Sequence, residues 1–147
     1  MKGRIIFLSV FFLLVFNSVS AQNKVLPKSI ISTTASIKKY HDKKELQGMQ
    51  KGELLELYIE RIKVLVKTLP YVALATRPGV TMIDLGIPDD QKNRDALDDQ
   101  AKITAEFLEA TVQFQRSMLP YSDKGNIVNS ILFYENTLKS LHEFEDL

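Results

Sequence analysis

The side chains that most often carry out catalysis or bind metals are sparse in this chain. It has two histidines, His41 and His142, and no cysteine. A helical di-iron site needs a glutamate three residues before a histidine, but Lys38 and Lys139 occupy those positions. The zinc-hydrolase pattern His-Glu-x-x-His does not occur either. This inventory favours a non-catalytic protein.

Two weaker arrangements leave a metal-binding or enzymatic helical bundle as an alternative. His41 precedes Asp42, and His142 lies close to Glu145 and Asp146. Imidazole and carboxylate groups are ordinary ligands of divalent metals. However, Asp42 is expected to cap a helix, and His142 suits a solvated last turn, where the helix dipole favours a cation. We therefore predict no cofactor, with metal binding through His41, His142 and carboxylates as the alternative.

Residues 1–21 have the organisation of a signal peptide. Lys2 and Arg4 precede an apolar run from residue 5 to residue 16, and Val19 and Ala21 place small residues before a cleavage position. The run is shorter than the roughly 20 residues that a membrane-spanning helix needs. We expect cleavage near Ala21 and export to the bacterial periplasm or beyond. The alternative is a membrane-anchored assembly factor that retains this segment.

Charge is unevenly distributed in the remaining chain. Residues 22–67 carry a net charge of +5, and residues 68–147 carry −6. The near-neutral total gives no general attraction to nucleic acid, which needs clustered basic residues. The two parts are expected to pair within one molecule. The alternative is that the basic segment 24–67 contacts a partner or an anionic membrane surface.

Apolar residues at helical spacing predict a first long helix between Asp42 and Pro70. Asp42 and Glu45 form a capping box at its start. Gly48 and a second glycine weaken the opening turns, so a break is expected near Lys51. Pro70 lacks a backbone donor and should end or kink the helix.

Two further long helices are predicted after residue 89. One runs from about Asp90 to Leu119, and the next begins at Ser122 or Asp123. Because their connection is short, we expect an antiparallel hairpin. The predicted core stripe of the second helix is Leu97, Ala101, Ala105, Leu108, Val112 and Leu119, widened by Phe107, Phe114 and Met118.

The helices together predict an all-α fold, an antiparallel bundle of three long helices over residues 42–147. Residues 22–41 form a lead-in, expected to be partly mobile, whose pattern fits either a short strand or a short fourth helix. We favour the helix. No disulfide can form without cysteine.

The connection at residues 76–89 is the strongest candidate for a partner-binding site. Connections of this length are uncommon and often functional. Thr81 and Asp84 are expected to cap one helical turn that Gly86 ends. The apolar residues form either a lid over the bundle or an exposed patch that captures another envelope protein or a second copy. They are Val80, Met82, Ile83, Leu85 and Ile87.

Overall fold

A computed structural model describes residues 27–143, so the predicted signal peptide at residues 1–21 lies outside the described residues. Within this range the chain forms four α-helices and an isolated β-bridge, and the predicted all-α bundle is confirmed. The helices are α1 (Lys43–Gly48), α2 (Lys51–Thr68), α3 (Gln91–Met118) and α4 (Lys124–Glu143). Short 3-10 turns span Leu69–Tyr71, Ile83–Leu85 and Leu119–Tyr121.

The predicted capping box and helix break are both confirmed. The Asp42 side chain accepts the backbone N–H of Glu45 at 2.8 Å, and Glu45 accepts that of Asp42 at 3.2 Å. Helix α1 ends at Gly48, and Glu53 then accepts the backbone N–H of Gln50 at 2.7 Å as α2 begins. The fourth helix that the structure describes, α1, therefore consists of the separated first turns of the predicted long helix.

Residues 27–41 of the lead-in are not helical, so the helix that we favoured there is wrong. Ser and Thr side chains bond to nearby groups in place of a helical ladder. The Ser32 hydroxyl accepts the Thr34 backbone N–H at 3.3 Å, and the Ser32 carbonyl accepts that of Ala35 at 2.8 Å. Ile30, Ile31 and Ala35 are nevertheless buried, because the lead-in packs across the bundle.

Helix α2 is the centre of the bundle. Helices α3 and α4 both pack on it, while α3 and α4 make little contact with each other. The short turn between α3 and α4 therefore joins two helices that use different parts of the α2 surface. The main core joins α1, α2 and α4 through Leu46, Leu54, Tyr58, Ile59, Ile127, Val128 and Ile131.

Helix α3 is the longest helix described but contributes little to the core. Of its 28 residues, only Thr104 and Leu108 are buried. The prediction that Phe107, Phe114 and Met118 widen its core stripe is wrong, since 56%, 60% and 52% of their surfaces are exposed. The reason is that α3 packs mainly on one helix, α2, which covers only a narrow stripe.

Candidate functional site

The predicted partner-binding residues at 76–89 do not share one environment. Met82 is 2% exposed and packs in a cluster with lead-in residues, while Val80 and Ile87 are partly buried against the same cluster. Ile83 and Leu85 are 55% and 38% exposed. Three of the five side chains therefore fit the lid interpretation, and two face solvent. Their role in partner binding stays a prediction.

Local hydrogen bonds explain why this segment is ordered. Asp84 accepts the Thr81 backbone N–H at 2.8 Å and the Thr81 hydroxyl at 2.7 Å. These bonds hold the pKa of Asp84 below its usual value. Gly86 ends the turn with a φ of 70°, a conformation that glycine adopts without strain. The Thr81–Asp84 cap and the Gly86 stop are confirmed.

The segment also fastens the lead-in to the bundle. Ile30 donates its backbone N–H to the Val80 carbonyl at 2.8 Å, and Gly79 donates to the Ile31 carbonyl at 3.0 Å. Gly79 has a φ of 94°, which favours glycine at this crossing. Residues 76–89 thus close one end of the molecule and hold residues 29–31 against it.

A buried charged cluster joins α2, α4 and the end of the lead-in. The side chains of Arg61 and Glu135 are each 1% exposed. Glu135 Oε1 accepts from Arg61 Nε at 2.9 Å, and Arg61 Nη2 donates to the Lys39 carbonyl at 2.6 Å. Glu135 Oε2 accepts the backbone N–H of His41 at 2.8 Å. Burial, followed by the negative charge of Glu135, raises the pKa of Tyr40.

The position of His41 weakens the metal-binding alternative. Its Nδ1 lies 3.2 Å from Arg61 Nη2 and 3.3 Å from Glu135 Oε1. A cation at this nitrogen would meet the guanidinium, and the carboxylate is already paired. Among residues 27–143, no group of three or more histidine or acidic side chains is placed to hold a metal ion. His142 is partly buried, whereas the predicted partners Glu145 and Asp146 lie outside the described residues.

The expected pairing between residues 22–67 and residues 68–147 is seen in both senses among the described residues. Arg116 of α3 forms a two-point ion pair with Glu56 of α2, with Nη2 to Oε2 at 2.8 Å. Hydrogen bonds from Arg116 hold the pKa of Glu56 below its usual value. Lys28 of the lead-in pairs with Asp98 of α3. These exposed pairs connect α3 to α2 and to the lead-in.

A small groove lies where the lead-in crosses α2 and α3. Its volume is about 300 Å³, the lower limit for small-molecule sites. Leu97, Ala101 and Ala105 line its apolar side, with Lys67 among the polar residues. The groove has room for a small apolar group, but nothing in its lining points to a reaction.

Among the described residues, α3 carries more exposed large apolar side chains than any other element. Ile103, Phe107, Phe114 and Met118 are exposed and lie roughly 80–140° around the helix from Leu108. We call these four residues the outer face of α3. Ile103 and Phe114 are each 60% exposed. At about 100° per residue the four fall within roughly 60° of the helix circumference. Exposed apolar surfaces of this kind mark protein or membrane contacts.

This outer face was missed because the sequence pattern combined it with the core stripe. The helix carries two apolar stripes, one centred on Leu108 and one on Phe107 and Phe114. The signal that separates them is the unusual width of the apolar pattern, which exceeds what a single neighbouring helix covers.

Among residues 27–143, none of the helices combines the length and apolar character needed to cross a membrane.

Comparison of the chain with protein-family models, curated proteins and solved structures finds no match in any of the three.

Proposed function

We propose that this chain is an exported, non-catalytic helical-bundle protein of the cell envelope that works by binding protein through the outer face of α3. The observation that carries the proposal is the contrast within that helix. Its 28 residues include two buried positions and four large, exposed, aligned apolar side chains. A monomer with no use for these side chains would gain solubility by replacing them with polar ones.

The chemistry of the face supports a protein as the ligand. Aromatic residues and methionine are enriched at the centres of protein interfaces, and Phe107, Phe114 and Met118 are of these types. They lie on a regular helix rather than in a concave pocket, a surface suited to packing against another helix. Arg116 and Glu56 connect one edge of α3 to α2, beside the outer face.

Export is supported by the sequence pattern of residues 1–21, with its basic start, apolar run and small residues before Ala21. A retained anchor would place the same bundle at the membrane surface. Mass spectrometry of the protein from its native envelope distinguishes the two, because cleavage near Ala21 gives a chain that begins at Gln22.

The test is a pull-down from native envelope extract with three baits: wild type, Phe107→Glu/Phe114→Glu, and the matched control Ile83→Glu/Leu85→Glu. All four substituted side chains are exposed, so circular dichroism should show folded helices in every bait. We expect wild type and the control to retain a specific protein that the outer-face variant loses. The retained protein is either another envelope protein or a differently tagged copy of this chain.

Loss of the partner with the control variant alone would move the binding site to residues 76–89, as predicted from sequence. Equal retention by all three baits would contradict binding through either surface. Turnover of any substrate at a rate abolished by one polar-to-alanine substitution would contradict the non-catalytic assignment.

A further inference from the structure

We infer that the partner of the outer face of α3 is a second copy of the chain, packed antiparallel about a twofold axis near Ala110 and Thr111. This inference rests on the proposed function and names its partner. The resulting dimer places α3 against α3, with the main core of each copy behind its own α3.

The spacing of the outer face is the same in both directions along the helix. Ile103 and Phe107 are four positions apart, as are Phe114 and Met118, and Phe107 and Phe114 are seven positions apart. In an antiparallel twofold interface, the same surface of each copy meets in the opposite direction, so residue i of one copy contacts residue j of the other and j contacts i. Reversal about the midpoint of 110 and 111 places Phe107 opposite Phe114 and Ile103 opposite Met118.

Small residues lie where the axis crosses the helix. Ala110 and Thr111 are the central positions between the two pairs, and small side chains at a crossing let two helices approach closely. Antiparallel helices also place opposite dipole ends beside each other. The helix dipoles favour the antiparallel arrangement, and the small residues allow the close approach that it needs.

The exposed area is close to what a stable dimer needs. The four side chains of the outer face are between 52% and 60% exposed, and Tyr121, in the 3-10 turn that follows α3, is 87% exposed. Aromatic side chains bury about 150–250 Å² each when covered, so the exposed parts of Phe107, Phe114 and Tyr121 offer roughly 300–500 Å², to which Ile103 and Met118 add. A standard interface buries about 800 Å² per partner, and the polar edges of α3 supply the remainder.

Charges at the edge of the outer face do not oppose this pairing. Glu106 is the acidic residue next to Phe107, and reversal places it close to Gln113 of the second copy rather than near another acid. The two copies of Glu106 are about nine residues apart along the pair, or roughly 13 Å at 1.5 Å per residue. A like-charge contact, which would weaken association, is thereby avoided.

The first experiment measures the mass of the purified chain by sedimentation over a wide concentration range. We expect wild type and Ile83→Glu/Leu85→Glu to reach twice the monomer mass. Phe107→Glu/Phe114→Glu should weaken association at least about hundredfold, as loss of central aromatic residues does elsewhere. A wild type that stays monomeric, or association that the outer-face substitutions leave unchanged, overturns the inference.

The second experiment tests the orientation and does not depend on the glutamate variants. Because the chain has no cysteine, single cysteines can be cross-linked with a short bifunctional maleimide. We expect Ala110→Cys to cross-link to itself, and Ile103→Cys to cross-link to Met118→Cys in a mixture. Ile103→Cys should not cross-link to itself, since the two copies of residue 103 lie about 22 Å apart along the length of the helix. Self-cross-linking of Ile103→Cys overturns the antiparallel arrangement.

The two proposals fail in different ways. A monomer that still retains another protein through the outer face overturns the inference of a second copy and leaves the proposed function standing. A monomer with no protein bound through that face contradicts both.

Discussion

Replacing Glu135 with leucine should strongly destabilise the fold, because it leaves Arg61 as a buried charge. Both side chains are 1% exposed. The substitution removes the acceptor for Arg61 Nε at 2.9 Å and for the backbone N–H of His41 at 2.8 Å. Removing one partner of a buried ion pair typically costs about 3–5 kcal/mol. We expect a value near 3 kcal/mol, since Glu60 remains 3.0 Å from Arg61 Nη1.

A double substitution separates the cost of an unpaired buried charge from the cost of losing packing and hydrogen bonds around the pair. In Arg61→Leu/Glu135→Leu no unpaired charge remains, and the loss is limited to packing and to the Lys39 carbonyl and His41 N–H partners. Apolar replacement of a buried ion pair is often close to neutral. We therefore expect the double variant to be more stable than Glu135→Leu alone.

Urea denaturation followed by circular dichroism measures these free energies of unfolding. A loss of 3 kcal/mol should also lower the midpoint of thermal unfolding by roughly 10 °C in a domain of this size. The control is Asp99→Leu on the exposed side of α3, which should change stability by less than about 0.5 kcal/mol. A Glu135→Leu cost below about 1 kcal/mol, or a double-variant cost equal to the sum of the single ones, would refute the reasoning.

Three further expectations follow from residues at other points in the fold. The pKa of Glu56 is lowered by its bond with Arg116, so the stability that the pair contributes is present above pH 4.5 and lost as the pH falls through the lowered pKa. In a low-salt pH series, Arg116→Gln should therefore lose less stability than wild type as the pH falls. An unchanged dependence on acid pH would count against the pair. Burial raises the pKa of Tyr134, so the stability that Tyr134 contributes is complete below pH 10 and falls as the pH rises towards the raised pKa. Tyr134→Phe should therefore reduce the loss of stability at alkaline pH in the same series. A larger alkaline loss would contradict this assignment. Met82→Ala should cost about 2–4 kcal/mol and Ile83→Ala less than about 1 kcal/mol in urea denaturation, whereas equal costs would mean that both residues share one environment.

Features set by residues within a few positions of one another could be predicted from the sequence. The Asp42–Glu45 cap, the break after Gly48, and the turn ended by Gly86 each depend on local hydrogen bonds or on backbone freedom. Such interactions leave a signature in adjacent residues. The helices and the all-α class follow from them and from apolar periodicity.

Features that depend on distant residues could not be predicted in the same way. Arg61 and Glu135 are 74 positions apart, and each is an ordinary charged residue in a helical pattern, where a solvated position is the usual expectation. The face of α3 that packs inward is also a tertiary property. Leu108 and Phe107 are adjacent and both apolar, and the position of α2 decides which one is buried.

The small share that α3 takes in the buried clusters has a consequence for how the molecule opens. The fully buried members of those clusters lie in the lead-in, in α1, α2 and α4, and in residues 71–82. Helix α3 can therefore separate from α2 while the remaining core stays closed, and such sub-global openings govern amide hydrogen exchange. Amides of α3 should exchange with solvent deuterium sooner than those in the middle of α2 and α4. Packing of α3 against a second copy would slow that exchange selectively, so the order in which helices exchange would itself report whether the chain is associated.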